Sequence, residues 1–210
     1  MSNSGPGASV PITSLRLVGG HPALDFVNTV TGRLTAEPID FLPDFDALMS
    51  WSCYAGVIDE SECDACVAAA ARRGSASAVF RRALVLREAL YEIFSARAED
   101  EPLADVSLDA LNRELDRGAQ AWRLARAGRR VRWQWPRDDP ALSLARVSSA
   151  AAVLLTDELA PRLGRCAGID RGCAWLFLDT SRGGTRRWCS MDACGNRAKA
   201  RAHYRRTHTA

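Results

Sequence analysis

No stretch of this 210-residue chain stays apolar for the roughly 20 residues that a helical bilayer crossing needs. The longest candidate, near Val147 to Leu155, is short and broken by serines. The start is equally poor in export features. Met1 to Pro11 is rich in Ser, Gly and Pro and carries no positive charge ahead of an apolar run. That argues against a signal peptide and for a disordered segment over residues 1–11. With no export signal, the seven cysteines, an odd number, favour a reducing cytoplasm in which thiols are free or metal-bound. An obvious nucleophile is also missing beside the Asp25–His21 pair, so no enzyme is expected.

What remains is ordinary for a globular protein: 47% hydrophobic and 25% charged residues. The net charge of +3 hides an asymmetry. Residues 181–210 hold eight basic side chains against Asp192 alone, a local charge of +7, so residues 1–180 carry −4. A mildly acidic body therefore bears a basic tail, which attracts phosphates by Coulomb forces and counterion release.

Punctuation and apolar spacing divide the body into helices. Pro22 opens a short run from Ala23 to Val30. Asp44 caps a helix to about Ala55, ending at Gly56, and Asp59 caps another through Ala71, stopped at Gly74. Ser77 to Ala98 repeats apolar residues at helical spacing without Gly or Pro. Ser107 to Arg117 places Leu108, Leu111 and Leu115 on one face. Asp139-Pro140 starts a long apolar helix to about Ala160, stopped by Pro161. Gln120 to Trp135 differs: Trp122, Leu124, Val131, Trp133 and Trp135 alternate around Gly128, which predicts a β-hairpin packed on the helices.

After Pro161 the character changes. Cys166, Cys173, Cys189 and Cys194 follow the spacing Cys-x6-Cys-x15-Cys-x4-Cys. Tetrahedral zinc needs four thiolates converging on one point, which two cysteine pairs joined by a hairpin provide. Trp175 to Asp179 reads as one strand, Ser181 to Gly184 as a turn and Arg186 to Cys189 as the return strand. Cys194 then opens a helix through Tyr204. Knuckle, hairpin and helix make a treble-clef-like zinc finger. A rival ligand set is Cys189, Cys194, His203 and His208. Its middle gap of eight residues is shorter than the about 12 of a two-Cys two-His finger, and it leaves Cys166 and Cys173 unexplained.

The run Arg186-Arg187-Trp188-Cys189-Ser190-Met191, then Cys194-Gly195-Asn196-Arg197-Ala198-Lys199, resembles the CGNR zinc-finger family, together with Phe177-Leu178-Asp179. Upstream, Gly20-His21-Pro22-Ala23-Leu24-Asp25-Phe26-Val27-Asn28-Thr29 and Arg87-Glu88-Ala89-Leu90 are similar to the mainly helical ABATE domain that precedes this finger. The resemblance covers roughly residues 15 to 206. It implies a stress-induced transcription regulator that binds DNA through the finger. Within the tetrad, Gly195 is expected to let the backbone pass close to metal or phosphate, Asn196 to bond the helix start, and Arg197 to reach a phosphate or brace an aspartate.

The expected fold is therefore mainly α: a helical body over residues 12–161 with a small β-hairpin, then a finger over residues 162–208. The expected cofactor is one structural Zn2+. Arg186, Arg187, Arg197, Lys199, Arg201, Arg205 and Arg206 are the expected DNA contacts. His21, Asp25, Asn28 and Thr29 share one helical face; such a stripe is usually a buried polar network or a capping cluster, and it is also the candidate lining of a small-effector pocket. The body would sense that effector or form a homodimer. Cys63 and Cys66 read as small buried residues, with a redox switch involving Cys53 as the alternative. Two other functions remain open: a protein-interaction finger without DNA, and an enzyme built on the His21/Asp25 face.

Overall fold

The computed structural model describes residues 11–169 and 172–208, apart from the side chains of Trp133, Pro161 and His208. Of the segment expected to be disordered, only Pro11 falls among them. Helices dominate, joined by three two-stranded antiparallel sheets.

The predicted helices form where their caps place them. Helix α1 (Pro22–Val27) starts behind His21, whose Nδ1 accepts from Ala23 N at 3.3 Å. Strands β1 (Val30–Thr31) and β2 (Ile39–Asp40) then pair. Asp44 caps α2 (Phe45–Tyr54) through Ala47 N. Asp59 and Glu62 close a reciprocal capping box on α3 (Glu60–Arg73), which ends at left-handed Gly74. Glu62 also takes a two-pronged bond from Arg146 at 2.7 Å per prong. The long α4 (Ala76–Ala98) and α5 (Asp105–Ala121) follow.

Helix α6 (Leu142–Thr156) stops four residues short of the expected Ala160. Asp157 leaves helical geometry and its carboxylate accepts from Leu159 N, an Asx turn that competes with another helical turn. The predicted hairpin forms as β3 (Arg123–Ala127) and β4 (Arg130–Gln134). Its two-residue turn begins at Gly128, with φ +63°, as a tight hairpin turn requires. At its base Trp122 and Trp135 meet edge to face at 4.3 Å, and Trp135 packs on the core.

The finger differs from its expected hairpin. Strand β6 (Leu176–Leu178) pairs with β5 (Leu163–Arg165), in register Leu163↔Leu178, and not with Arg186 to Cys189. Both edges of β6 are already occupied. Beyond β5, Leu178 N donates to Gly19 O at 2.8 Å, and the Asn28 side chain takes both polar groups of Leu176. No edge is left for a return strand. The core is also continuous across this junction. Leu176 and Leu178 join the body's main cluster with Leu24, Phe26 and Trp51, while Phe177 turns the other way, into a small cluster with Cys166 and Cys189. The two-residue alternation of one short strand thus serves both parts.

Candidate metal centre and its seam with the helical body

Four elements carry the four cysteines. Cys166 follows β5, Cys173 closes the loop before β6, Cys189 ends the segment after the Ser181–Gly184 turn, and Cys194 lies in a wide π turn (Met191–Gly195) that opens α7 (Asn196–His208). Their Sγ atoms all lie within 4.8 Å of one another. Cys173–Cys189 and Cys189–Cys194 are each separated by 3.7 Å. Four sulfurs at about 2.3 Å from one tetrahedral zinc would sit about 3.8 Å apart, so the spacing fits the ion.

The electrostatics fit it too. Donation from Cys173 and Cys189 drives the Cys166 thiol far down. Cys173 and Cys189 are pushed up by their hydrogen bonds with Cys166, and Cys194 by burial. Four neighbouring thiolates need a dication. Backbone N–H groups of Gly168 and Cys189 point at the Cys166 sulfur and that of Trp175 at Cys173, which is how zinc–thiolate sites are braced. His203 lies outside the cluster, exposed on α7. The four-cysteine set therefore replaces the rival with histidines, and all four positions are protein ligands, as in a structural site.

Gly195 is tight for a reason other than the one expected. A Cβ there would come within 2.5 Å of Met191 Sδ and 3.3 Å of Trp188. The glycine makes room for Met191 packing, and its nearest neighbours are not the thiolates. Arg197 is exposed and borders a cavity of about 410 Å3 between body and finger, walled by Leu15, Ile39, Phe41 and Trp175 and touching Cys173 and Cys194.

Two expected site groups hold the finger to the body instead. Arg186 is a DNA candidate by sequence, but its guanidinium forks onto four backbone carbonyls: Trp188 at 3.1 Å, Leu178 at 3.2 Å, Val18 at 2.9 Å and Cys189 at 2.6 Å. It also stacks 4.3 Å above the Phe177 ring. A fork with this many partners is not available to a phosphate, so Arg186 leaves the DNA set. Asp179 accepts from Ser181 N and Arg186 N, each at 2.8 Å; the Ser181 hydroxyl first, and then these two amides, hold its carboxylate below the usual range.

The second group is the polar stripe of α1. Asn28 Nδ2 donates to Leu176 O at 2.8 Å and its Oδ1 accepts from Leu176 N at 2.9 Å. One side-chain amide thus stands in for a neighbouring strand. Asp25 Oδ1 accepts from Gly19 N at 2.8 Å, next to the Gly19 carbonyl that holds Leu178. Burial pushes the Asp25 carboxyl up to about 6, against the opposing pull of the Gly19 and Val18 amides and Arg186. Thr29 donates to Phe26 O and accepts from Arg87, which forks onto Asp40 at 2.7 Å per prong. His21 caps its own helix as the acceptor, and burial lowers its pKa. The stripe is a seam, and its hydrogen bonds go to the protein rather than to a pocket. Sequence spacing puts the four side chains on one face, but it carries no signal for Leu176, 148 residues away.

The remaining basic candidates fall on or near α7. Arg187, Arg197, Lys199, Arg205 and Arg206 are exposed, and Arg201 is half-buried. Arg187 lies 5.7 Å from the Trp188 ring. Helix α7 packs chiefly on the π turn before it. Cys66 is buried and bonds Asp139 O at 3.1 Å, while Cys63 points at Met49 O at 3.8 Å. Burial raises the two thiols to about 12 and about 11, so both are protonated packing groups.

Two known families match successive parts of the chain. Residues 20–158 match ABATE, described as "Putative stress-induced transcription regulator". The chain belongs to the ABATE family. Residues 162–207 match the CGNR zinc finger, so the four cysteines form the finger's structural zinc site. No curated protein matches the chain significantly. Among the described residues, no helix is long and apolar enough to cross a membrane.

Proposed function

We propose that this ABATE protein is a zinc-dependent, DNA-binding transcription regulator of the cytoplasm, with no catalytic step. The observation that carries the reading is α7, a polar helix launched directly from a zinc ligand, with Arg197, Lys199, Arg205 and Arg206 exposed. A helix with few apolar residues gains little by packing on the body. Next to a polyanion, its cations gain affinity by counterion release. Zinc fixes where that helix starts, so DNA binding depends on the metal. A small effector, on this reading, enters the cavity beside Arg197 and not the α1 stripe, because that cavity touches both body and finger.

The test is a gel shift with random-sequence duplex at two salt concentrations. Lys199→Ala with Arg206→Ala should weaken binding to every sequence and flatten the salt slope by about one unit for each phosphate no longer held. An unchanged slope in the double variant rejects α7 as the DNA-binding element. Capture of an acidic protein, with no duplex binding at low salt, would favour the interaction-module reading.

A further inference from the structure

The β3–β4 ribbon is the second concentration of positive charge in the molecule. Residues 118–136 contain Arg123, Arg126, Arg129, Arg130 and Arg132 and no acid. All five are exposed. With +5 here and +7 over residues 181–210, a chain of net +3 leaves −9 for everything else. The net positive charge is therefore gathered in these two segments.

Register sorts them further. Arg123 faces Gln134, Ala125 faces Arg132 and Ala127 faces Arg130, and these three pairs share one side of the ribbon. That side carries three arginines interleaved with two alanines. Arg129 stands at the turn and Arg126 on the other side. Like charges crowded on one side of a two-stranded ribbon repel and cost stability. Arg123 turns to the Gln120 and Trp122 carbonyls, which carry no charge to relieve the repulsion. The ribbon packs mainly within itself, and the Trp122–Trp135 pair anchors its base to the core. Five residues per strand reach about 17 Å. An arm of that length with a thin, basic, alanine-flanked side matches the phosphate backbone of duplex DNA. The major groove admits a two-stranded ribbon.

We infer that the β3–β4 ribbon is a second nucleic-acid-binding element, gripping duplex phosphates through Arg123, Arg130 and Arg132. The inference deepens the proposed DNA-binding function and rests on it for its context. The test uses the full zinc-loaded chain and a fluorescently labelled 30-base-pair duplex of random sequence. Four proteins are compared: wild type, the ribbon triple variant with Arg123→Gln, Arg130→Gln and Arg132→Gln, the same three positions changed to Lys, and the α7 variant with Lys199→Ala and Arg206→Ala. The ribbon triple should keep its zinc content and far-ultraviolet spectrum and flatten the salt slope by about 2.7, at about 0.9 for each phosphate no longer held. The corresponding triple Arg→Lys variant should keep most of the slope, since it keeps the charge. An unchanged slope in the Gln triple, with α7-dependent binding intact, overturns the ribbon and leaves the proposed function standing. The reverse pattern rejects α7 and leaves the ribbon. Failure of wild type to bind duplex overturns both. Ribbon-dependent binding to phosphatidylserine vesicles, with none to duplex, would overturn the assignment to nucleic acid.

Discussion

Asn28 does with one amide what a strand does with a backbone. Replacing it by Ala leaves Leu176 N and O buried without partners, and each such group costs about 1–3 kcal/mol. Asn28→Ala should therefore lower stability by roughly 2–5 kcal/mol, read as a shift in the denaturant midpoint. Asn28→Asp should not rescue it, because a carboxylate cannot donate to Leu176 O. Asp25, on the same stripe, makes stability depend on pH. Its carboxyl is raised from 3.8 to about 6 in the folded protein. The folded state then keeps a proton that the unfolded state has lost, so the contribution is fully favourable below about pH 4 and disappears as pH rises through about 6. The full difference is on the order of 3 kcal/mol. Stability measured from pH 4 to pH 7 on zinc-loaded protein should fall more steeply with pH in wild type than in Asp25→Asn. Parallel curves would show that Asp25 does not hold this proton. Neither role is legible in the sequence. Spacing on α1 exposes the polar stripe, but the partner strand lies at the other end of the chain, and only tertiary packing says that the stripe is spent on it.

Among the elements, local signals work where caps decide. Asp44, Asp59 and Gly74 set the ends of α2 and α3 as their chemistry requires, and Gly128 marks the β3–β4 turn. They fail where a competitor intervenes. Arg186 to Cys189 looks like a strand, yet Gly19 and Asn28 occupy the edge it would need. Helix α6 ends early because Asp157 bonds its own neighbourhood. The capping box on α3 carries a further prediction. Glu62 is buried against Arg146, and its carboxyl is lowered chiefly by that guanidinium. Arg146 keeps some contact with water, so removing its partner costs less than the roughly 3–5 kcal/mol of a fully buried pair, on the order of 2 kcal/mol. Glu62→Ala should lose that much near pH 7 by thermal or chemical unfolding. Because the folded pKa is depressed, wild type loses the advantage as pH falls through the lowered value, and the gap between the two proteins closes in acid. A gap that stays constant with pH would contradict the ion pair.

For the whole molecule, body and finger share β6. Leu176 and Leu178 lie in the body's core while Phe177 lies against the zinc cysteines. Loss of zinc is therefore expected to reach past the finger. Cys194→Ser should lose the metal, unfold α7 and also lower the melting temperature of the helical body, by removing support from β6. A body melting unchanged after zinc loss would show that the seam does not couple the two. The family, the four ligands and the basic tail are all readable in the sequence, because zinc coordination and charge are written in residue identity. The seam is not, because it depends on which buried strand meets which helix. The central claim is that zinc positions α7 for DNA. The most direct measurement is fluorescence anisotropy of a labelled random duplex, titrated at roughly 50 and 200 mM salt with zinc-loaded protein and with chelator-stripped protein. The claim predicts binding by the zinc-loaded form that weakens steeply with salt, by about 0.9 log units of affinity per log unit of salt for each phosphate held, and that largely vanishes on stripping. Equal binding by the two forms, or none by the zinc-loaded form at the lower salt, would contradict it.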